Sequence, residues 1–125
     1  MSAVAHKDEV GKAGEELAAQ TLARQGYTIV DRNWRGKNGE IDIVAIESDV
    51  LAFIEVKTRS SHRYGPPAAA VSLEKLARLR RLAGQWLTER RGHVDARFAE
   101  IRLDVVAVTM PACGQNTVEL LRGVS

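Results

Sequence analysis

The sequence predicts an α/β fold, a sandwich of helices around a mixed β-sheet. Three observations predict it. The elements read in the order α-β-β-β-α-β, two central runs are short and almost wholly apolar, and two flanking segments repeat their apolar residues at helical spacing. The 125 residues make one domain spanning 1–125, with 45% hydrophobic and 27% charged residues, an ordinary globular balance.

Residues 8–25 place Val10, Leu17, Ala18, Thr21 and Leu22 near helical spacing. Asp8 and Glu9 favour a start there through the helix dipole, and Arg24 and Gly26 suit its end. Tyr27–Val30 reads as a short strand, and Asp31–Gly39 as a polar, basic loop. Gly39–Ala45 and Leu51–Lys57 follow as buried strands, with Glu47-Ser48-Asp49 as a hairpin turn between them. A Ser/Gly/Pro-rich loop covers residues 58–71. Ser72 is the natural N-cap of an amphipathic helix carrying Leu73, Leu76, Leu79, Ala83 and Trp86, ending near Gly92. Ile101–Val108 forms a further strand, and Thr117–Leu121 an edge strand.

The central strands carry charge where apolar strands normally carry none. Side chains alternate faces along a strand, so Glu40 and Asp42 share one face, and Glu55 and Lys57 share another. A buried carboxylate costs several kcal/mol unless it is paired or bound to a metal. Asp42, Glu55 and Lys57, in the pattern Asp-x(12)-Glu-x-Lys, are therefore the candidate catalytic residues. Mg²⁺ or Mn²⁺ is the expected cofactor, because a hard cation takes carboxylate oxygens together with water and substrate phosphate. Asp42 and Glu55 supply that pair, and the Val56 carbonyl offers a third oxygen. Lys57 is placed to orient the attacking water or help deprotonate it. Glu15 lies seven positions before Leu22, about 20° away around the helix, and so projects toward the apolar face as a third metal ligand. Glu16 points to solvent. Glu40 is a supporting carboxylate.

The net charge of +2 hides an asymmetry. Residues 1–56 carry six Lys/Arg against ten Asp/Glu, whereas residues 57–91 carry nine against two. An acidic centre beside a basic flank suits a polyanionic partner. Arg35, Lys37, Arg59, Arg63 and Lys75 are the candidate nucleic-acid contacts. Trp34 and Tyr64 lie among them and suit base stacking, or in the case of Trp34 core packing. Arg102 and Asp104 share a strand face, either supporting the site or pairing with one another. His6, His62 and His93 lack ligand spacing, and no Gly-rich phosphate loop is present. A lone cysteine, Cys113, excludes an internal disulfide and favours a cytoplasmic protein. The first residues lack a signal-peptide pattern, and no run approaches the roughly 20 apolar residues of a membrane span.

Gly11-x-x-Gly14-Glu15-x-x-Ala18, Gly26-Tyr27, Asn33-Trp34-Arg35, Gly39-Glu40-Ile41-Asp42, Phe53 to Arg59, Lys75, and Arg102 to Val106 together resemble the YraN family of small bacterial proteins. That family is similar to the Holliday-junction resolvases of the PD-(D/E)xK, or restriction-endonuclease-like, superfamily. The resemblance implies a three-layer α/β/α core around a mixed sheet. By position it makes Asp42 and Glu55 the metal-binding acids, Lys57 the superfamily lysine and Glu15 the helix-one glutamate. Ile41 stands where the superfamily has proline. The expected activity is divalent-metal-dependent hydrolysis of phosphodiester bonds in DNA of branched or single-stranded form. The alternative is a non-catalytic nucleic-acid-binding module of a repair or recombination complex, and a third reading is an interaction protein with ion-paired carboxylates. Resolvase-like relatives generally work as dimers, so a homodimer accords with the resemblance.

Overall fold

The computed structural model describes residues 3–61, 65–66, 71–90 and 98–124. Helix α1 (Ala3–Arg24) leads into three strands, β1 (Thr28–Gly36), β2 (Gly39–Glu47) and β3 (Val50–Arg59). Helix α2 (Leu73–Glu89) and the strands β4 (Glu100–Thr109) and β5 (Thr117–Leu121) complete the fold. The strands form one sheet in the order β1-β2-β3-β4-β5. Neighbours are antiparallel except β3 and β4, which run parallel, so the sheet is mixed. A parallel pair cannot be closed by a tight turn, and α2 lies within its crossover. The predicted mixed α/β class is the observed one.

The two helices draw on alternate residues of the central strand. On β3, Ala52 and Ile54 pack with Ala18, Ala19 and Leu22 of α1. Leu51 and Phe53 pack instead with Leu76, Leu79, Leu82 and Trp86 of α2. This is the period of two expected of a strand buried on both faces. Phe53 and Trp86 meet edge-on with ring centroids 5.5 Å apart, and the Trp86 indole N–H donates to Asp31 at 3.0 Å. That bond satisfies the one polar atom of a fully buried ring.

Local chemistry accounts for the ends of the helices. Gly26, at φ 96°, lets Tyr27 N–H reach back to the Leu22 carbonyl at 3.0 Å and close α1. Ser72 caps α2 as predicted, its hydroxyl accepting from Lys75 N–H at 3.1 Å. Several boundaries differ from the sequence reading: β2, β3 and β4 each extend one or two residues further, to Glu47, Arg59 and Thr109, and the ends of α1, α2 and β1 also move. Helix α1 begins by Ala3, so Asp8 and Glu9 are interior positions and His6 is helical. Helix α2 ends at Glu89 with Arg90 as its cap; Gly92, His62, Tyr64 and His93 lie outside the described residues. The predicted loop from Asp31 is strand β1 as far as Gly36, and only Lys37 and Asn38 form the turn. An edge strand needs just one ladder, and its outer face is wet, so polar residues do not prevent it from forming. Its half-buried positions are Ile29, Asp31, Trp34 and Gly36. The alternation resets at Asn33, at φ 51°, a left-handed conformation that asparagine tolerates.

Close packing also positions α1. A Cβ placed on Gly14 would overlap the Thr58 side chain, with Cγ2 at 2.9 Å and Cβ at 3.0 Å. Gly14→Ala is therefore expected to cost about 1–3 kcal/mol through overpacking. Urea unfolding should show that loss, and the double variant with Thr58→Ala should recover most of it. Equal losses in the single and double variants would sink the steric account.

Candidate active site

The site begins where β2 and β3 part. Their pairing runs from Glu47↔Val50 to Ile43↔Ile54 and stops there. Ile41 packs with the α2-side core and Ile43 with the α1-side core, although they are two residues apart. Strict alternation is thus interrupted at Asp42. In the gap, the Asp42 carboxylate accepts the Val56 amide N–H at 2.7 Å. Val56 thus meets Asp42 through its amide N–H.

Glu15 of α1, Glu40 and Asp42 converge here. One carboxylate oxygen from each lies within 4.8 Å of the others. Burial, then the charges of Glu15, Glu55 and Glu40, push the Asp42 carboxyl up to about 7, against the Val56 hydrogen bond. Burial and the Glu40 charge also raise Glu15, with Arg32 and an Asn33 hydrogen bond opposing. Of the acids around the gap, Glu16, Glu40 and Glu55 each pair with an arginine, whereas the ion pairs among the described residues do not include Asp42. Glu16 is exposed and pairs with Arg32 at 3.1 Å, as its outward position implied.

Glu55 and Lys57 share the β3 face that meets α2. Glu55 stands outside the group of three acids and accepts Arg78 Nη2 at 2.9 Å. Its charge is nonetheless felt at Asp42. Lys57 lies beside Lys75 of α2; that neighbouring amine and partial burial hold its ammonium below the usual lysine range, while Glu55 pulls it upward. The strand gap thus has carboxylates on the α1 side and an acid with two amines on the α2 side, Asp42 lying between them.

The donor set fits a hard divalent cation. Oxygen ligands about 2.1 Å from such an ion stand about 3 to 4.2 Å apart, so carboxylates already within 4.8 Å need only small side-chain rotations to share one. Residues 14–108 match the uncharacterised protein family UPF0102. The chain belongs to that family. UPF0102 relatives from Arthrobacter sp. and Beutenbergia cavernae are 53% and 50% identical to it, each over 94% of this chain and 97% of the relative. Membership agrees with the YraN-like resemblance of the sequence. Among solved structures, Pyrococcus furiosus SfsA in complex with Ca²⁺ is a weak likeness, with a TM-score of 0.39 and 14% identity. The match covers 93% of this UPF0102 chain and 63% of that one.

The predicted basic contacts fall in different places. Arg35 is mostly exposed on β1, 3.9 Å from Glu40. Lys37 sits in the β1–β2 turn, its backbone N–H held by Gln85 at 2.8 Å. Arg59 ends β3 and donates to the Gly65 carbonyl at 2.8 Å. Lys75 adjoins Lys57, and Arg63 lies outside the described residues. Two positioning residues were missed from the sequence. Asn33 touches Glu15 across the sheet edge, and its tolerance of positive φ was a readable signal. Arg78 holds Glu55, but nothing distinguished it from the other arginines of α2.

Arg102 and Asp104 take no part in the site. They pair with each other at 2.8 Å, beside Ala52 and Ile54 of β3, together with Tyr27 and Glu47. Among the described residues no helix is long and apolar enough to cross a membrane.

Proposed function

We propose that this UPF0102 chain is a Mg²⁺- or Mn²⁺-dependent endonuclease of the PD-(D/E)xK class, hydrolysing phosphodiester bonds in branched or single-stranded DNA. The carrying observation is the convergence of Glu15, Glu40 and Asp42 at the point where β3 presents Glu55-Val56-Lys57. A helix packed against each face of β3 suits the three-layer core of that superfamily. Glu15, Glu40 and Asp42 would hold the cation, with Glu55 joining if Arg78 releases it. The ion supplies charge neutralisation at the scissile phosphate.

The remaining steps belong to side chains. Asp42 keeps its proton at neutral pH more readily than an ordinary aspartate, so binding a cation displaces that proton. Lys57, its ammonium made less stable by Lys75, gives up a proton more readily than a surface lysine. It is placed to orient the attacking water on the α2 side, and Arg78 and Lys75 are placed to receive backbone phosphates.

A panel of junctions, flaps, bubbles and single strands with Mg²⁺ or Mn²⁺ tests the reading. Cleavage is expected for at least one structure, falling roughly 10²- to 10⁴-fold in Lys57→Ala. Cation binding with no cleavage of any substrate would defeat the enzymatic reading. One observation favours a non-catalytic nucleic-acid-binding module instead: the Arg78–Glu55 pair at 2.9 Å already satisfies an acid the chemistry needs. Under that alternative DNA binding survives Lys57→Ala and no strand is cut.

A further inference from the structure

Trp34 opens onto a groove between the β1–β2 hairpin and α2, bordered by Arg35, Lys37, Arg81, Gln85 and Glu89. We infer that this groove is a stacking subsite for an unpaired DNA base, whose strand reaches the Glu55–Lys57 region along α2. The inference rests on the nucleic-acid reading above and adds a position where single-strandedness is recognised.

Four features of the groove support it. The Trp34 ring is only half buried, although it packs against the α2-side core, so one part of its surface remains open. Two glycines shape the wall: Gly36 lets Gln85 pack close to the Trp34 ring, since a Cβ there would stand 2.7 Å from the ring, and Gly84 faces open space, with nothing within 4 Å of a Cβ. The polar lining is mainly donor. Gln85 spends its carbonyl on Lys37 N–H at 2.8 Å, which leaves its NH₂ as the group offered to the groove. Arg35, Lys37 and Arg81 outnumber the one acid, Glu89, as a base with its phosphate requires.

The groove is also connected to the candidate active site. Lys75, Arg78, Arg81 and Gln85 follow one another along α2 at intervals of three, three and four residues, which puts them on one helix face. The row begins beside Lys57, passes Glu55 and ends under Trp34. At 1.5 Å per residue it spans about 15 Å, room for about four stacked nucleotides at 3.4 Å each. Around the hairpin tip, Arg35 and Gly36 also line a second depression that reaches Glu40. A duplex cannot offer a base face to Trp34 without unstacking, so the subsite selects unpaired strands.

The test is binding in EDTA, so that nothing is cut, of a short oligothymidylate and an abasic strand of equal length. The wild-type protein should prefer the strand with bases by roughly 5- to 100-fold. Trp34→Ala should erase that ratio and Trp34→Phe should restore most of it. Arg81→Gln should weaken both strands alike and reduce the salt slope by about 0.7. A melting curve on Trp34→Ala confirms that it is folded, and the Phe variant tests stacking with packing retained. A ratio unchanged in Trp34→Ala overturns the subsite, even where cleavage is present. A Trp34-dependent ratio without cleavage upholds the subsite and removes the nuclease. Failure to bind either strand overturns the subsite and leaves the nuclease to the cleavage panel.

Discussion

Asp42→Asn is expected to abolish divalent-cation binding and, in the cation-free protein, to raise stability at neutral pH. The two effects share a cause. Asp42 is pushed from an ordinary 3.8 up to about 7, first by burial and then by Glu15, Glu55 and Glu40. From about pH 4 to 7 the folded protein keeps a proton that the unfolded chain releases. The folded state then binds more protons, so its stability falls as pH rises through that window, and the penalty is complete above about pH 7. A shift of about three units sets an upper bound of about 4 kcal/mol; partial solvent access brings the expected gain to about 1–3 kcal/mol. Asparagine keeps the oxygen that accepts Val56 N–H and carries no charge. Thermal melts at pH 8 should place the variant several degrees above wild type, and melts near pH 4 should coincide. Adding Mn²⁺ at a hundred times its dissociation constant should stabilise wild type by about 2.7 kcal/mol and leave the variant unmoved. A variant destabilised equally at both pH values would contradict the account.

Asp104→Ala is expected to be the most destabilising single substitution at a charged residue. Asp104 is fully buried and accepts Arg102 Nε at 2.8 Å, Arg102 Nη2 at 2.9 Å, Tyr27 Oη at 3.0 Å and Gly123 N–H at 2.9 Å. Arg102 also donates to Glu47 at 2.9 Å, and Arg122 holds the other Glu47 oxygen at 2.7 Å. The surroundings register this network. Tyr27 is pushed up to about 12 by burial and then by Asp104, and Glu47 is drawn down to about 2, chiefly by Arg122 and Arg102. Removing Asp104 leaves the Nε–H of an arginine side chain only 15% exposed, a phenol and an amide without their acceptor, while Arg102 keeps Glu47. Breaking one partner of a buried pair costs about 3–5 kcal/mol. For a domain of this size that is about 10–20 °C in melting temperature. Asp104→Asn retains an acceptor and should lose about half as much. Because the network joins Arg102, Tyr27 and Glu47 and includes none of Glu15, Glu40 and Asp42, cation titration of the folded variant should match wild type. A loss below about 1 kcal/mol would show that solvent, not Asp104, satisfies Arg102.

Much of this fold was legible because its signals are local. Ser72 as a cap, Gly26 as a helix stop, the Ser48-Asp49 turn and the span of β5 depend on a few neighbouring residues. The extent of β1 was not legible. Its residues are polar since only one side of the strand is paired and only alternate side chains turn inward, a property of its place at the sheet edge. At the site, Glu15 and Asp42 could be singled out because acids in apolar settings are costly. The partition between Glu40 and Glu55 could not. Alternation places Glu40 beside Asp42, but the interruption of that alternation at Asp42 decides that both turn toward Glu15.

The amino-acid pattern alone determined the mixed α/β class, the order of the elements and the residues whose burial demands a charged partner, since periodicity and desolvation act residue by residue. Only the tertiary structure decided which partners they meet: Asp42 with Val56 N–H, Glu55 with Arg78, Lys57 with Lys75, and Arg102 with Asp104. Those meetings depend on where β2 leaves β3 and which helix covers each face of the strand. Both are set by packing between segments far apart in the chain.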